Sequence, residues 1–344
     1  MSKITSKEIA TQKRVIKLFQ EELGYTYLGD WEEREGNSNV EVELLTNYLR
    51  TKGYSDELIR KAIAKLKTET DVIKDNLYTS NKDVYKMLRF GVEGITDDSS
   101  NNQNEQRVHL IDWKKPNNNH FSIAEEVSLP RSSGSTKRPD IVLYVNGIAL
   151  GVLELKRGKV AIEEGIRQNI TNQREEFIPT FFNTIQFTFA GNETQGLRYG
   201  TINTPEKFYL SWKEDIEDNS RLELYKYLLK VCDKERFLDV IYNCVLFDGG
   251  VKKLPRVHQY FGLKAAQEHI NRREGGIIWH TQGSGKSILM VMLAKWILEN
   301  NPNARIAIVT DRDELDKQIE TVFKEAGESI HRTKSGRDLL KKLS

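Results

Sequence analysis

The 344-residue chain has little cysteine, almost no net charge and no long apolar run. Its two cysteines, Cys232 and Cys244, show no metal-ligand spacing and provide no disulfide framework. Because 52 Lys and Arg face 50 Asp and Glu, the net charge is only +2, and a nucleic-acid partner would need a local basic patch. No stretch approaches the roughly 18 apolar residues of a membrane helix, and no apolar signal core begins the chain. These absences predict a reduced, cytoplasmic protein with no membrane partner.

The length and the order of the apolar patterns predict two domains, 1–250 and 251–344, in an α/β protein. A turn-rich linker is predicted at 248–255. After it, strand and helix patterns alternate, which favours a parallel sheet. The predicted helices are 5–23, 40–52, 55–67, 160–177 and 258–273, and the predicted strands are 108–113, 121–129, 140–145, 148–156, 181–190 and 305–310.

A glycine-rich loop stands between an apolar run, Ile277-Ile278-Trp279, and an apolar helix pattern. This context is typical of a phosphate-binding loop, in which backbone N–H groups surround the phosphates. Lys286 would reach the terminal phosphates, and the Ser287 hydroxyl would bind Mg²⁺. His280 replaces the first glycine of the full pattern, so a surface turn before an ordinary helix is the alternative. The predicted phosphate-binding residues are Thr281, Gln282, Gly283, Ser284, Gly285, Lys286 and Ser287.

A second motif places Asp140 and Glu154-Leu155-Lys156 on two strand-like runs joined by Asn146-Gly147, a strong hairpin signal. A strict two-residue turn would place Asp140 opposite Leu153, with Glu154 on the other face of the sheet. An odd-length loop or one bulge would return the two acids to one face. We therefore predict such an irregularity, with Gly147 at positive φ.

Two carboxylates and a lysine on one face of a sheet suit metal-dependent phosphodiester cleavage. Asp140 and Glu154 offer the hard oxygen ligands that Mg²⁺ prefers, and the Leu155 carbonyl could add another. Lys156 would position or deprotonate the attacking water and offset the charge of the transition state. The alternative is a hairpin with solvated charges at its ends. Nearby basic residues favour the functional interpretation, namely Arg131, Lys137, Arg138, Arg157 and Lys159.

The motifs in this order resemble the restriction (R) subunit of type I restriction-modification enzymes (HsdR). The segment from Arg138-Pro139-Asp140 to Leu153-Glu154-Leu155-Lys156 looks like its nuclease core. His258-Gln259-Tyr260-Phe261 is similar to the entry of its motor, where a glutamine reads the adenine of ATP. The segment 278–287 is similar to its first motor motif, in which His280 is usual, and Asp311-Arg312 looks like the next motif.

The resemblance implies a PD-(D/E)xK-type nuclease domain, with a mixed central sheet flanked by helices. It also implies the start of a RecA-like parallel α/β motor lobe of helicase superfamily 2. The activity implied is that of a type I site-specific deoxyribonuclease, with Mg²⁺-dependent cleavage of unmodified DNA coupled to ATP-driven translocation. The implied partners are double-stranded DNA and the methylase (M) and specificity (S) subunits, and the cofactors are Mg²⁺ and ATP. We expect the chain alone to lack ATP hydrolysis.

One departure from the family pattern lies on the helix after Lys156. Gln168 occupies the position of the family's glutamine, but Asn172 stands where many members have a tyrosine. Gln168 is therefore predicted to contact DNA or orient the site, with an ordinary exposed helix residue as the alternative. Two other functions stay open: a helicase-nuclease of DNA repair or another defence system, and a DNA-binding fragment without catalysis.

Overall fold

A computed structural model describes residues 6–97, 105–131, 134–214, 218, 220–310, 313–325, 329–333 and 335–343. The chain divides into two compact units, Met1–Tyr242 and Asn243–Ser344, and each is considered separately. The boundary predicted near residue 250 falls inside the second unit. Among the described residues, no helix is long and apolar enough to cross a bilayer.

The first unit combines seven α-helices and ten strands within its described part. The helices are α1 Ser6–Glu21, α2 Val42–Thr51, α3 Asp56–Thr70, α4 Leu77–Phe90, α5 Ile162–Asn172, α6 Glu223–Val231 and α7 Lys234–Asp239. The strands are β1 Thr26–Asp30, β2 Val92–Ile95, β3 Gln106–Val108, β4 Phe121–Glu125, β5 Leu129–Pro130, β6 Thr136–Lys137, β7 Ile141–Val145, β8 Ile148–Leu155, β9 Phe187–Asn192 and β10 Gly196–Gly200.

A six-stranded mixed sheet in the order β1-β4-β7-β8-β9-β10 forms the centre of this unit. The pairs β1–β4 and β8–β9 are parallel, and the other three pairs are antiparallel. Every residue of β7 and β8 is buried. Aromatic side chains such as Trp31 and Phe182 pack with Val142 and Val152 in one apolar cluster. The predicted mixed sheet flanked by helices is thus confirmed.

The turn between β7 and β8 sets the register of the two central strands. Asn146 and Gly147 both have positive φ, 54° and 82°, as a two-residue hairpin turn requires. Tyr144 pairs with Ala149, but Leu143 pairs with Gly151, so β8 has one extra residue between these pairs. This irregularity and the positive φ of Gly147 confirm the predictions made from the sequence.

Several predicted element boundaries in the first unit are wrong, among them the end of the strand predicted at 121–129, which lies at Glu125. The strand predicted at 108–113 ends at Val108, because the following residues turn around Asp112, whose backbone N–H donates to Asn119 Oδ1 at 2.8 Å. The strand predicted at 181–190 begins as a 3₁₀ helix, Pro179–Asn183, and becomes β9 only at Phe187. The helix predicted to reach residue 177 ends at Asn172.

The second unit begins with a hairpin of β11, Leu246–Asp248, and β12, Val251–Lys253, so the predicted linker at 248–255 is wrong. Its helices are α8 Val257–Asn271, α9 Lys286–Asn300, α10 Asp313–Glu325 and α11 Gly336–Leu343. The two strands predicted for a parallel sheet, before the glycine-rich loop and at 305–310, are not formed. Neither segment has a partner strand in the described structure, and Trp279 and Val309 are 90% and 92% exposed. Asp311 and Arg312 lie outside the described residues.

Candidate functional site

The hairpin of β7 and β8 brings Asp140, Glu154 and Lys156 to one end of the central sheet. Ile141 pairs with Leu153, so Asp140, one residue earlier, faces Glu154. Glu154 and Lys156 lie on one face because side chains alternate along a strand. Without the extra residue in β8, Asp140 would face Leu153 instead. The irregularity is therefore what brings the two acids together.

Asp140 and Lys156 interact at the rim of this site. Lys156 Nζ lies 3.7 Å from Asp140 Oδ2 and donates a hydrogen bond to the Leu155 carbonyl at 3.0 Å. The Leu155 backbone N–H donates to Asp140 Oδ2 at 2.6 Å, which fixes the carboxylate against β8. Both charged side chains keep 14% of their surface exposed. They can therefore meet a ligand that arrives from solvent.

Glu154 is fully buried behind this rim. Its Oε1 accepts a weak hydrogen bond from the Asn172 amide at 3.5 Å, and its Oε2 has no hydrogen-bond partner among the described residues. Burial, reinforced by repulsion from Asp140 and opposed by Lys156, raises the pKa of Glu154 well above its ordinary value. A buried carboxylate with a raised pKa is stabilised by binding a proton or a cation.

Helix α5 approaches the site closely because Gly165 has no side chain. A Cβ at Gly165 would lie 3.3 Å from the Ala190 side chain and 3.5 Å from the Glu154 side chain. The helix thereby brings Asn172 against Glu154. Gln168 lies one turn before Asn172 on α5 and is half-buried, and its side chain makes no hydrogen bond within the described structure. Its predicted role stays a prediction.

Glu126 is a residue of this site that the sequence did not reveal. It follows β4, is 6% exposed, and its backbone N–H donates to the Asp140 carbonyl at 3.0 Å. A Glu-Glu pair at a strand end gives no signal of which acid faces Asp140. The strand register decides this, because Glu125 pairs with Ile141 and Glu126 therefore comes opposite Asp140 where β4 ends. The φ of Glu126 is +50°.

The basic residues near the motif have different environments. Arg138 is paired with Glu126 and Glu32. Arg131 and Lys137 both lie 4.4 Å from the centre of the Phe177 ring. Cation–π contacts of this kind hold a side chain in place without neutralising its charge. Arg157 and Lys159 are exposed, and their side chains form no ion pair or hydrogen bond among the described residues.

The glycine-rich loop of the second unit has the geometry of a turn that starts a helix. Gly283 and Gly285 have φ of 76° and 80°, and α9 begins directly afterwards at Lys286. Lys286 Nζ donates to the carbonyls of His280 and Thr281 at 3.1 and 3.0 Å. The loop is mostly exposed, and the Ser287 side chain is half-buried in the first turn of α9.

The Gln259 side chain is hydrogen-bonded to the backbone of this loop. Its Nε2 donates to the carbonyls of Ser284 and Gly285 at 3.2 and 3.0 Å, and its Oε1 accepts from the Arg256 N–H at 2.8 Å. Gly285 has a φ of 80°, which favours glycine, and a Cβ there would lie 2.4 Å from Gln259 Nε2 and displace that amide. The side chain amide is thus engaged by the protein, and its role toward adenine stays a prediction.

Residues 5–207 match the family model described as the N terminus of the type I restriction enzyme R protein. The chain belongs to this family. Residues 258–344 of the chain match the model of the SWI2/SNF2 ATPase. The mixed α/β unit thus matches the R-protein N terminus, and the ATPase match includes the glycine-rich loop.

Two relatives illustrate how much of an R protein is present. The chain is 30% identical over 302 residues to the type I restriction enzyme HindI endonuclease subunit of Haemophilus influenzae, covering 81% of the chain and 27% of the relative. It is 29% identical over 324 residues to a Methanocaldococcus jannaschii protein, provisionally named type I restriction enzyme MjaVIIIP endonuclease subunit, covering 84% of the chain and 30% of the relative. The chain therefore spans less than a third of the length of these relatives.

Proposed function

We propose that this chain is the DNA-cleaving and ATP-binding part of a type I restriction subunit. Its nuclease unit, of PD-(D/E)xK type, would hydrolyse phosphodiester bonds of unmodified double-stranded DNA with Mg²⁺. Cleavage would be coupled to ATP-driven translocation in the cytoplasm, in a complex with methylase and specificity subunits. The observation that carries the proposal is the meeting of Asp140, Glu154 and Lys156 at one end of the sheet. The relatives' names support it.

The donor set fits Mg²⁺. Asp140, Glu154 and the Leu155 carbonyl are hard oxygen ligands, and the unpartnered Glu154 Oε2 is a buried atom that a cation would satisfy. No group of three or more His, Cys, Asp or Glu side chains is placed to hold a metal among the described residues. The remaining positions would belong to water and to DNA, which agrees with the preference of Mg²⁺ for retaining water. When bound, the ion would polarise the scissile phosphate and make a bound water more acidic.

The protein's own groups would then orient the reaction. The Leu155 N–H holds Asp140 in place, so the carboxylate does not have to reorganise when DNA binds. Lys156, 3.7 Å from Asp140, would place its ammonium beside the developing phosphorane charge and position the water. Half-buried Gln168 would contact the DNA backbone beside the site.

The second unit would bind ATP at the glycine-rich loop, as part of a RecA-like lobe. The phosphates would lie against the N–H groups of 283–287 at the start of α9, where the helix end favours anions. Lys286 would exchange its two carbonyl contacts for phosphate oxygens. Thr281 and Gln282 line the exposed side of the loop, Ser287 would hold Mg²⁺, and Gln259 would read the adenine.

The test separates the two activities in the complete restriction enzyme. Lys156→Ala should reduce DNA cleavage about 100-fold or more while ATP turnover continues, because it removes only a group that stabilises the transition state. Lys286→Ala should remove ATP turnover and, with it, the cleavage that depends on translocation. Both are measured on supercoiled plasmid with Mg²⁺ and ATP.

Two exposed lysines serve as matched controls. Lys13→Ala in α1 and Lys317→Ala in α10 should leave both activities within about twofold of wild type, as usual for surface substitutions. Full cleavage by the Lys156 variant would remove the proposed nuclease site. Unchanged ATP turnover in the Lys286 variant would remove the proposed nucleotide site.

A further inference from the structure

Three acidic residues are neighbours in the backbone register of three adjacent strands of the central sheet. The Glu126 N–H donates to the Asp140 carbonyl at 3.0 Å, so Glu126 is next to Asp140 across the β4–β7 boundary. Asp140 in turn faces Glu154 across the β7–β8 boundary. The proposed function uses two of these acids. The third, Glu126, is buried and has no assigned role.

The Glu126 side chain is held on both oxygens. Gln12 of α1 donates to Oε1 at 3.0 Å, and Arg138 Nε lies 2.7 Å from Oε2. Arg138 belongs to the Arg138-Pro139-Asp140 segment, so this ion pair ties Glu126 to the chain that carries a proposed metal ligand. The φ of +50° at Glu126 is costly for a residue with a side chain, and such strain persists where surrounding contacts impose it.

The charges of the three acids influence one another. Burial raises the pKa of Glu126 to about 7, against the hydrogen bond from Gln12, and repulsion from Asp140 adds to the rise. Glu126 likewise contributes to the raised pKa of Glu154. A divalent cation bound at Asp140 and Glu154 would be attracted by the negative charge of the neighbouring Glu126 as well.

We propose that Glu126 is a positioning residue of the nuclease site. Its negative charge strengthens the binding of a divalent cation at Asp140 and Glu154, and its ion pair with Arg138 holds the segment that presents Asp140. The proposal rests on the proposed function, since it assumes the cation site. It adds a residue from a third strand that contributes by charge and support.

The test is a calorimetric titration of the metal-free chain with Mn²⁺. Glu126→Gln keeps the shape of the side chain and removes its charge, and should weaken the affinity about threefold to tenfold. Glu125→Gln is the matched control. Glu125 also accepts a hydrogen bond from Gln12, at 2.9 Å, but it lies one residue away and pairs opposite Ile141. The affinity of the Glu125→Gln variant for Mn²⁺ should stay within about twofold of wild type, as expected for a charge outside the site.

A second variant separates charge from packing. Glu126→Asp retains the charge and should bind Mn²⁺ within about twofold of wild type. Equal weakening in Glu126→Asp and Glu126→Gln would show a purely structural role and overturn the proposal. Unchanged affinity in Glu126→Gln, at a site that Asp140→Ala abolishes, would overturn it while leaving the proposed function intact. A wild-type chain without such a site would overturn both.

Discussion

Asn146 is a fully buried polar residue at the turn that carries the candidate site. Its amide donates to the Leu110 carbonyl at 3.0 Å and to Asn119 Oδ1 at 2.8 Å, and its Oδ1 accepts from the His120 N–H at 2.7 Å. These three bonds reach the segment that precedes β4. The positive φ of 54° is tolerated better by Asn than by most other residues. This residue therefore fixes both the turn and its attachment to the sheet.

Replacing Asn146 by Ala should destabilise the first unit by about 3–4 kcal/mol. The change removes three buried hydrogen bonds, at about 1 kcal/mol each. It also places alanine, which has a Cβ but no polar side chain, at a positive φ. Urea unfolding followed by tryptophan fluorescence measures the loss.

Asn146→Gly is the matched variant for the backbone contribution. Glycine accepts positive φ, so this variant should lose about 1 kcal/mol less than Asn146→Ala. A loss below about 1 kcal/mol in both variants would contradict the role given to the buried amide.

Asp140, Glu154, Lys156 and Gly147 can be selected from the sequence because the local motif and the turn signal identify them. Glu126 is not predictable in this way, because its proximity to Asp140 depends on the pairing of β4 with β7. The burial of Glu154 was also not predictable, since it results from the packing of α5 at Gly165. The local sequence pattern does not determine contacts between segments that are distant in the chain.

The short β5–β6 hairpin presents two cations next to the candidate site. Arg131 and Lys137 share the Phe177 ring, and Arg131 also donates to the Glu176 carbonyl at 3.2 Å. Lys137 is near enough to Glu154 to lower the pKa of that carboxyl against the larger effect of burial. If the chain binds DNA as proposed, these two side chains are placed to contact phosphates beside the scissile bond.

Lys137→Ala and Arg131→Ala should each weaken DNA binding. Each should also reduce the steepness of log affinity against log salt concentration by roughly 0.9, the value for one lost phosphate contact. Binding is measured without divalent cations, across a salt series, with a fluorescent duplex. Arg107→Ala is the control, because Arg107 is half-exposed on β3 and paired with Glu93. An unchanged salt slope in both hairpin variants would exclude these contacts.

Secondary-structure elements are predictable where the local sequence pattern agrees with the strand pairing of the fold. The β7–β8 hairpin was recognised from Asn146-Gly147, and its irregularity was predicted from the requirement that Asp140 and Glu154 share a face. The strands expected on either side of α9 were not formed, because a strand needs neighbours to pair its backbone, and none lies against them in the described residues. Apolar sequence alone does not supply those neighbours.

At the scale of the whole molecule, the order of the two motifs was the most informative feature. It predicted a nuclease unit followed by an ATPase-like segment, and the family matches at 5–207 and 258–344 follow that order. The chain covers 27% and 30% of the two relatives described above. Translocation and subunit assembly therefore stay proposals that require the longer protein.

The central claim is that Asp140 and Glu154 hold one divalent cation beside Lys156. A crystal structure of the chain grown with Mn²⁺, with anomalous scattering recorded at the manganese edge, tests it most directly. We expect one anomalous peak within coordination distance of an oxygen of Asp140 and of Glu154 Oε2, which is now without a partner in the described structure. A structure with Mn²⁺ bound elsewhere, and with no peak between these two carboxylates, would contradict the account.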